Sequence, residues 1–73
     1  LQIDAKTKLQ EYSLKKYKSL PIYKFISSTG PKHKPLFKIA VKIQNSEFIN
    51  ATGYSKKDAE LKAASLFLKK IGL

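Results

Sequence analysis

Lys56 and Lys57 stand side by side after Ser55 and before Asp58, and the sixteen residues from Lys56 to Ile71 contain no Gly or Pro. The pattern predicts a helix opened by a capping box, with Ser55 at the cap and Asp58 three residues on. Both lysines then fall in its first turn, where the macrodipole is positive and unpaired N–H groups point outward. Each ammonium there costs about 0.3 to 1 kcal/mol, only partly offset by Ser55 and Asp58. A phosphate placed at that end reverses the sign of every term, so the chemistry indicated is anion binding.

Two further groups of residues could act on the same ligand. Gly30, Pro31, Lys32, His33 and Lys34 lie in a basic stretch, Ser28 to Pro35, rigidified by two prolines and long for a hairpin connection. His33 is able to donate to or accept from a sugar hydroxyl or a base edge. Thr7, Gln10 and Glu11 place a hydroxyl, an amide and a carboxylate on one face of a helical segment. That mixture suits 2′-hydroxyls better than phosphates, because a carboxylate is repelled by phosphate yet accepts a hydrogen bond from a hydroxyl.

The charge supports this reading. Fifteen lysines, no arginine and five acids give 73 residues a net charge of +10, which points to a polyanionic partner, with nucleic acid the leading candidate. No apolar run approaches the ~18 residues of a membrane span, and no secretory segment is seen. Zero cysteines and one histidine exclude a disulfide framework and any usual zinc site. Asp4, Glu11, Glu47, Asp58 and Glu60 are scattered without paired spacing, so no catalytic residue and no metal ligand is assigned. The chain has no methionine, and a preceding segment is therefore expected.

The elements that must position these groups follow from periodicity. Asp4 to Lys18 reads as a helix capped by Asp4, with Ala5, Leu9, Tyr12 and Leu20 on the core side. Ile22 to Ser27 reads as a strand. Leu36 to Ile43 reads as a second, with Phe37, Ile39, Val41 and Ile43 dry and Lys38, Ala40 and Lys42 wet. After a turn at Gln44 to Ser46, Glu47 to Gly53 reads as a weaker third strand. In the last helix Ala59, Ala63, Ala64, Leu66, Phe67 and Ile71 share the inner arc, with Leu61 and Leu68 outside it. The fold class is α+β, an α-β-β-β-α domain over residues 4–71 with a three-stranded antiparallel sheet and both helices on one face. Its wet face is expected to carry lysines but no aromatic ring, which argues against single-strand stacking there.

Taken together, DAKTKLQEY from Asp4, TGPKHKPLFKIAV from Thr29 and TGYSKKDAELKAA from Thr52 resemble the double-stranded RNA-binding domain, most closely that at the C-terminus of bacterial ribonuclease III. The resemblance implies that Thr7, Gln10 and Glu11 enter one minor groove and the Gly30 to Lys34 loop the next, while Lys56 and Lys57, following the Ser55 cap, take the phosphates between. Such a footprint reads shape across ~16 bp, because A-form RNA hides its base edges in a deep, narrow groove. Lysine, a point charge, fits that task. The sequence departs from the family at Glu60, where many relatives carry lysine, and at Ala51, where glycine is common and a changed strand end is expected.

By the resemblance, the parent is a cytoplasmic, magnesium-dependent homodimeric endonuclease that cuts duplex RNA in ribosomal and messenger RNA processing. This domain is its monomeric substrate-binding part and holds no cofactor itself. A non-catalytic RNA-binding or ribosomal protein is the alternative. A basic protein docking on anionic membranes through the last helix is a more distant one.

Overall fold

The computed structural model describes residues 4–73. Five elements follow in the order α1 (Ala5–Tyr17), β1 (Ile22–Thr29), β2 (Leu36–Lys42), β3 (Ile49–Gly53) and α2 (Lys56–Lys70). The strands make one antiparallel sheet, β1-β2-β3. α2 packs across β2 and β3, and α1 packs on α2, so one face of the sheet is covered and the other is open. This is the expected α-β-β-β-α architecture.

Each helix begins and ends for local reasons. The Asp4 carboxylate accepts from the Thr7 N–H at 2.9 Å and starts α1. Lys18 ends it in the left-handed region, φ 59°. That reversal corrects the placement of Leu20 in the core arc: the residue no longer follows the helical screw and is 57% exposed. Ser13 is buried instead, its hydroxyl donating to the Ser19 carbonyl at 2.6 Å. At the far end of α2, Gly72 adopts φ 84°, and the N–H groups of Gly72 and Leu73 donate back to the Lys69 and Leu68 carbonyls.

The core is thin. Leu9 from α1, Val41, Ile43 and Ala51 from the sheet side, and Ala63, Ala64, Phe67 and Leu68 from α2 form its buried cluster. Complete burial of Leu9 or Phe67 stabilises the fold by roughly 1.5–3 kcal/mol each. Alanines at the middle of α2 leave room for its close approach to the strands. Leu66 and Leu68 exchange the roles expected of them: Leu68 is 5% exposed and Leu66 47%. α2 is enclosed by both the sheet and α1, which widens its buried arc toward Leu68. Leu66 instead borders an open groove beside the short β3.

The strands also differ from the pattern in detail. β1 runs on to Thr29, so the connection shortens to residues 30–35, and β3 starts only at Ile49. Before β3, Asn45 takes φ 64° and the Ser46 hydroxyl both accepts from the Ile43 N–H and donates to its carbonyl, so the turn reaches further than Ser46 alone. A register shift between Phe25 and Ser27 interrupts the alternation of β1. Ala40 points to the open face yet is buried, because its ladder neighbours Lys24 and Asn50 cover a single methyl group. Ala51 pairs with Ile39 in an unbroken ladder to Gly53, so the expected change at that strand end is not found. The open face is not free of aromatics: the ammonium groups of Lys24 and Lys42 lie 6.0 and 5.5 Å from the centre of the Phe48 ring.

Candidate nucleic-acid interface

The first turn of α2 is seated on a glycine. A Cβ on Gly53 would stand 2.5 Å from a carboxylate oxygen of Asp58 and 2.6 Å from the Ala59 nitrogen. The space beside this glycine is filled by the helix itself. Ser55 caps α2, its hydroxyl accepting from the Asp58 N–H at 3.0 Å and its carbonyl from the Ala59 N–H at 2.9 Å. The reciprocal half of the capping box is shifted by one residue, because the Asp58 carboxylate accepts from the Tyr54 N–H at 3.2 Å rather than from Ser55. The same oxygen pairs with Lys62 at 3.3 Å.

Asp58 is thus turned toward Tyr54 and Lys62, and both Lys56 and Lys57 remain exposed. Among the described residues neither lysine is in an ion pair. The Lys56 ammonium stands over the Phe25 ring of β1, 5.2 Å from its centre. Phe25 leans in turn on Phe37, with ring centres 6.5 Å apart. The local conflict read from the sequence is present in the fold: a helix start carrying two exposed ammonium groups outside any ion pair among the described residues.

The other two groups are each held next to this end. Ser28, Phe37 and Gly53 form one row across the sheet, adjacent to the closing pair Thr29 and Leu36 of the β1–β2 connection. The connection therefore leaves the sheet next to the glycine that seats α2. Gly30 enters it at φ 90°, and a turn closed by the Lys34 N–H donating to the Pro31 carbonyl at 3.0 Å puts Lys32 and His33 at its tip. Residues 30–34 are all exposed.

Lys6 of α1 pairs with Glu60 of α2 at 2.7 Å. Glu60, the departure from the family pattern, ties the start of α1 to the start of α2. Hydrogen bonds from Thr7, then the nearby charges of Lys57 and Lys6, hold the Asp4 carboxyl below the ordinary carboxylate range. Thr7, Gln10 and Glu11 are exposed on α1. The start of α1 is thus tied to the start of α2 by Lys6–Glu60, and the basic connection leaves the sheet beside Gly53. Lys6 also stands 5.0 Å from the centre of the Tyr23 ring, whose hydroxyl is buried without a partner. Burial first, then the charges of Glu60 and Asp4, push that phenol up to about 12.

Residues 5–71 match the family described as the double-stranded RNA binding motif. The chain belongs to this family. A double-stranded RNA-binding domain accounts for the whole fold, and relatives in sequence and structure agree. Ribonuclease 3 of Pelagibacter ubique (strain HTCC1062) is 71% identical over 70 residues, covering 96% of this chain and 32% of the relative. Ribonuclease 3 of Ehrlichia ruminantium (strain Gardel) is 50% identical over 68 residues, 93% of this chain and 30% of the relative. The chain thus spans about a third of the length of these curated relatives. Among solved structures, the second such domain of DRB4 superimposes with a TM-score of 0.67 at 30% identity, covering 94% of this chain and 96% of that one. The first domain of HYL1 gives 0.69 at 36%, covering 90% and 93%.

Three participants in this geometry were not singled out from sequence. Phe25 under Lys56, Tyr23 under Lys6 and Phe48 under Lys24 and Lys42 are each an aromatic ring paired with a lysine from another element or turn. Their only signal in the chain is an aromatic residue within a segment read as a strand.

Proposed function

We propose that this domain captures duplex RNA for a ribonuclease III by lying along one face of it. In this reading Thr7, Gln10 and Glu11 meet 2′-hydroxyls in one minor groove, and Gly30, Pro31, Lys32, His33 and Lys34 meet the next. Ser55, Lys56 and Lys57 meet the phosphates of the intervening major groove. The observation that carries it is the α2 start, where the Asp58 carboxylate is engaged by the Tyr54 N–H and Lys62 and two exposed ammonium groups stand at a helix terminus. The Lys6–Glu60 pair and the Phe37–Gly53 pairing, which hold the α1 start and the basic connection beside the α2 start, support a single ligand reaching all three. Duplex RNA is then recognised by shape and charge with little sequence preference.

The whole enzyme's role extends the same reading. The ribonuclease 3 relatives support a parent that cleaves duplex RNA, including ribosomal and messenger RNA precursors, as a cytoplasmic homodimer, with this domain itself monomeric. Its magnesium belongs to a nuclease segment. Among the described residues no three of His, Asp and Glu gather into a metal site, and Glu60 and Asp58 are engaged by lysines. No described helix is long and apolar enough to cross a membrane. The domain's contribution is to raise the local concentration of duplex near the tethered nuclease.

Competition binding tests the assignment. A blunt RNA duplex is expected to bind more tightly than a DNA duplex of the same sequence and length, while anionic vesicles compete poorly. Equal affinity for RNA and DNA removes the minor-groove role of Thr7, Gln10 and Glu11. The nuclease assignment stands or falls on the gene surrounding this segment, which must encode paired acids on helices.

A further inference from the structure

We propose that the open face of the sheet is a second RNA site, one that takes a short unpaired strand, with Phe48 as its stacking platform. The three lysines of the sheet, Lys24, Lys38 and Lys42, all point to the face away from the helices, since each alternates with, or pairs beside, the core residues of β2. None of the three strands contains an aspartate or glutamate, so the charge of this face is not neutralised within it. Phe48 is 43% exposed between two of those lysines. An aromatic ring next to ammonium groups is the composition that single-stranded nucleic acid requires, because every base has a π-face and every nucleotide a phosphate.

The face continues round the free edge of β3. There a groove of about 540 Å³ is lined by Lys38, Asn50 and Thr52 from the sheet and by Lys62, Ser65 and Leu66 from α2. Two ammonium groups among three neutral hydrogen-bonding side chains suit a phosphate and its sugar. From Lys42 to Lys38 the strand runs about 14 Å, the length of about four stacked nucleotides. The lysine contacts to Phe48 do not close the platform: an ammonium over an exposed ring is held more weakly than a stacked base, and on displacement it meets the neighbouring phosphate. Charge alone also fits an acidic peptide, but the half-exposed phenyl ring and the neutral donors of the groove favour RNA.

This site is separate from the duplex surface, so it is tested separately. The 73-residue chain is titrated with hexauridylate RNA and with a blunt RNA duplex, following backbone amide shifts and affinity. Hexauridylate is expected to move the amides of Lys24, Ala40, Lys42, Phe48 and Asn50 and to leave those of Lys56 and Lys57 in place. Phe48→Leu keeps apolar bulk without a π-face and is expected to weaken hexauridylate about tenfold, with less than a twofold change for the blunt duplex. Lys38→Ala with Lys42→Ala is expected to flatten the salt dependence for hexauridylate only. Shifts confined to Lys56 and Lys57, unchanged affinity in Phe48→Leu, or displacement by hexaglutamate at equal concentration would overturn the proposal. Loss of duplex binding alone leaves this site intact and counts against the duplex assignment instead.

Discussion

The ammonium group of Lys56 lies 5.2 Å from the centre of the Phe25 ring, joining the first turn of α2 to an edge strand of the sheet. Phe25 is 51% exposed and held by Phe37, so it stabilises the core little and mainly fixes where Lys56 points. A contact of this kind is worth ~0.5–1 kcal/mol at an exposed site. Phe25→Leu is accordingly expected to weaken duplex RNA about two- to fivefold with little loss of stability, and to have no further effect once Lys56 is alanine. A double-mutant cycle on affinity reads this, and additive losses would show that the ring does not act through Lys56.

Gly53 is the position where α2 tolerates no side chain. Gly53→Ala drives a methyl group into the Asp58 carboxylate and against the backbone at Ala59 N and Asp58 C, and is expected to cost about 2–3 kcal/mol. The same shift displaces Lys56 and Lys57, so duplex affinity falls beyond what the unfolded fraction explains. Denaturant unfolding and binding measured together check it; a variant of native stability would show that the helix start has room to move.

Tyr23 gives the pH dependence a defined direction. Its phenol is pushed up to about 12, so the folded chain keeps a proton that the unfolded chain releases near 10. The stability tied to it is complete below pH 10 and is lost as pH rises from 10 toward 12. Ultraviolet titration should show one phenolate forming about pH 12, absent from Tyr23→Phe. Because the hydroxyl is buried without a partner, that variant is expected to be as stable as the parent or more so by about 1 kcal/mol. Destabilisation would reveal a hydrogen bond at that oxygen.

Glu60 acts through Lys6. The pair is partly exposed, with 38% and 28% of the two side chains accessible, so its coupling is expected at only ~0.5–1 kcal/mol. Glu60→Lys replaces attraction by repulsion and is expected to lower stability by about 1 kcal/mol. A cycle with Lys6→Ala measures it, and the cost should vanish in that background.

How much of this was legible depended on whether the cause was local. The cap at Asp4, the helix start at Ser55 and the alternation of β2 are decided within a few residues, and they were readable. So was the electrostatic conflict at Lys56 and Lys57. The exchange of Leu66 for Leu68 was not, because it depends on α2 being wedged between α1 and the sheet while β3 is too short to cover Leu66. The register shift after Phe25 is likewise decided by a pairing partner distant in sequence, and the lysine–aromatic contacts join residues of different elements, so they carried no signal. Glu60, which the sequence marks only as a departure from the family pattern, is an interhelical tether to Lys6.

The salt dependence of binding to a blunt RNA duplex, compared between the parent chain and Lys56→Ala with Lys57→Ala, tests the central claim most directly. If both ammonium groups meet phosphates, the double variant weakens every duplex sequence about equally and the log–log slope becomes shallower by about one to two. A slope identical to that of the parent would place the duplex elsewhere on the molecule.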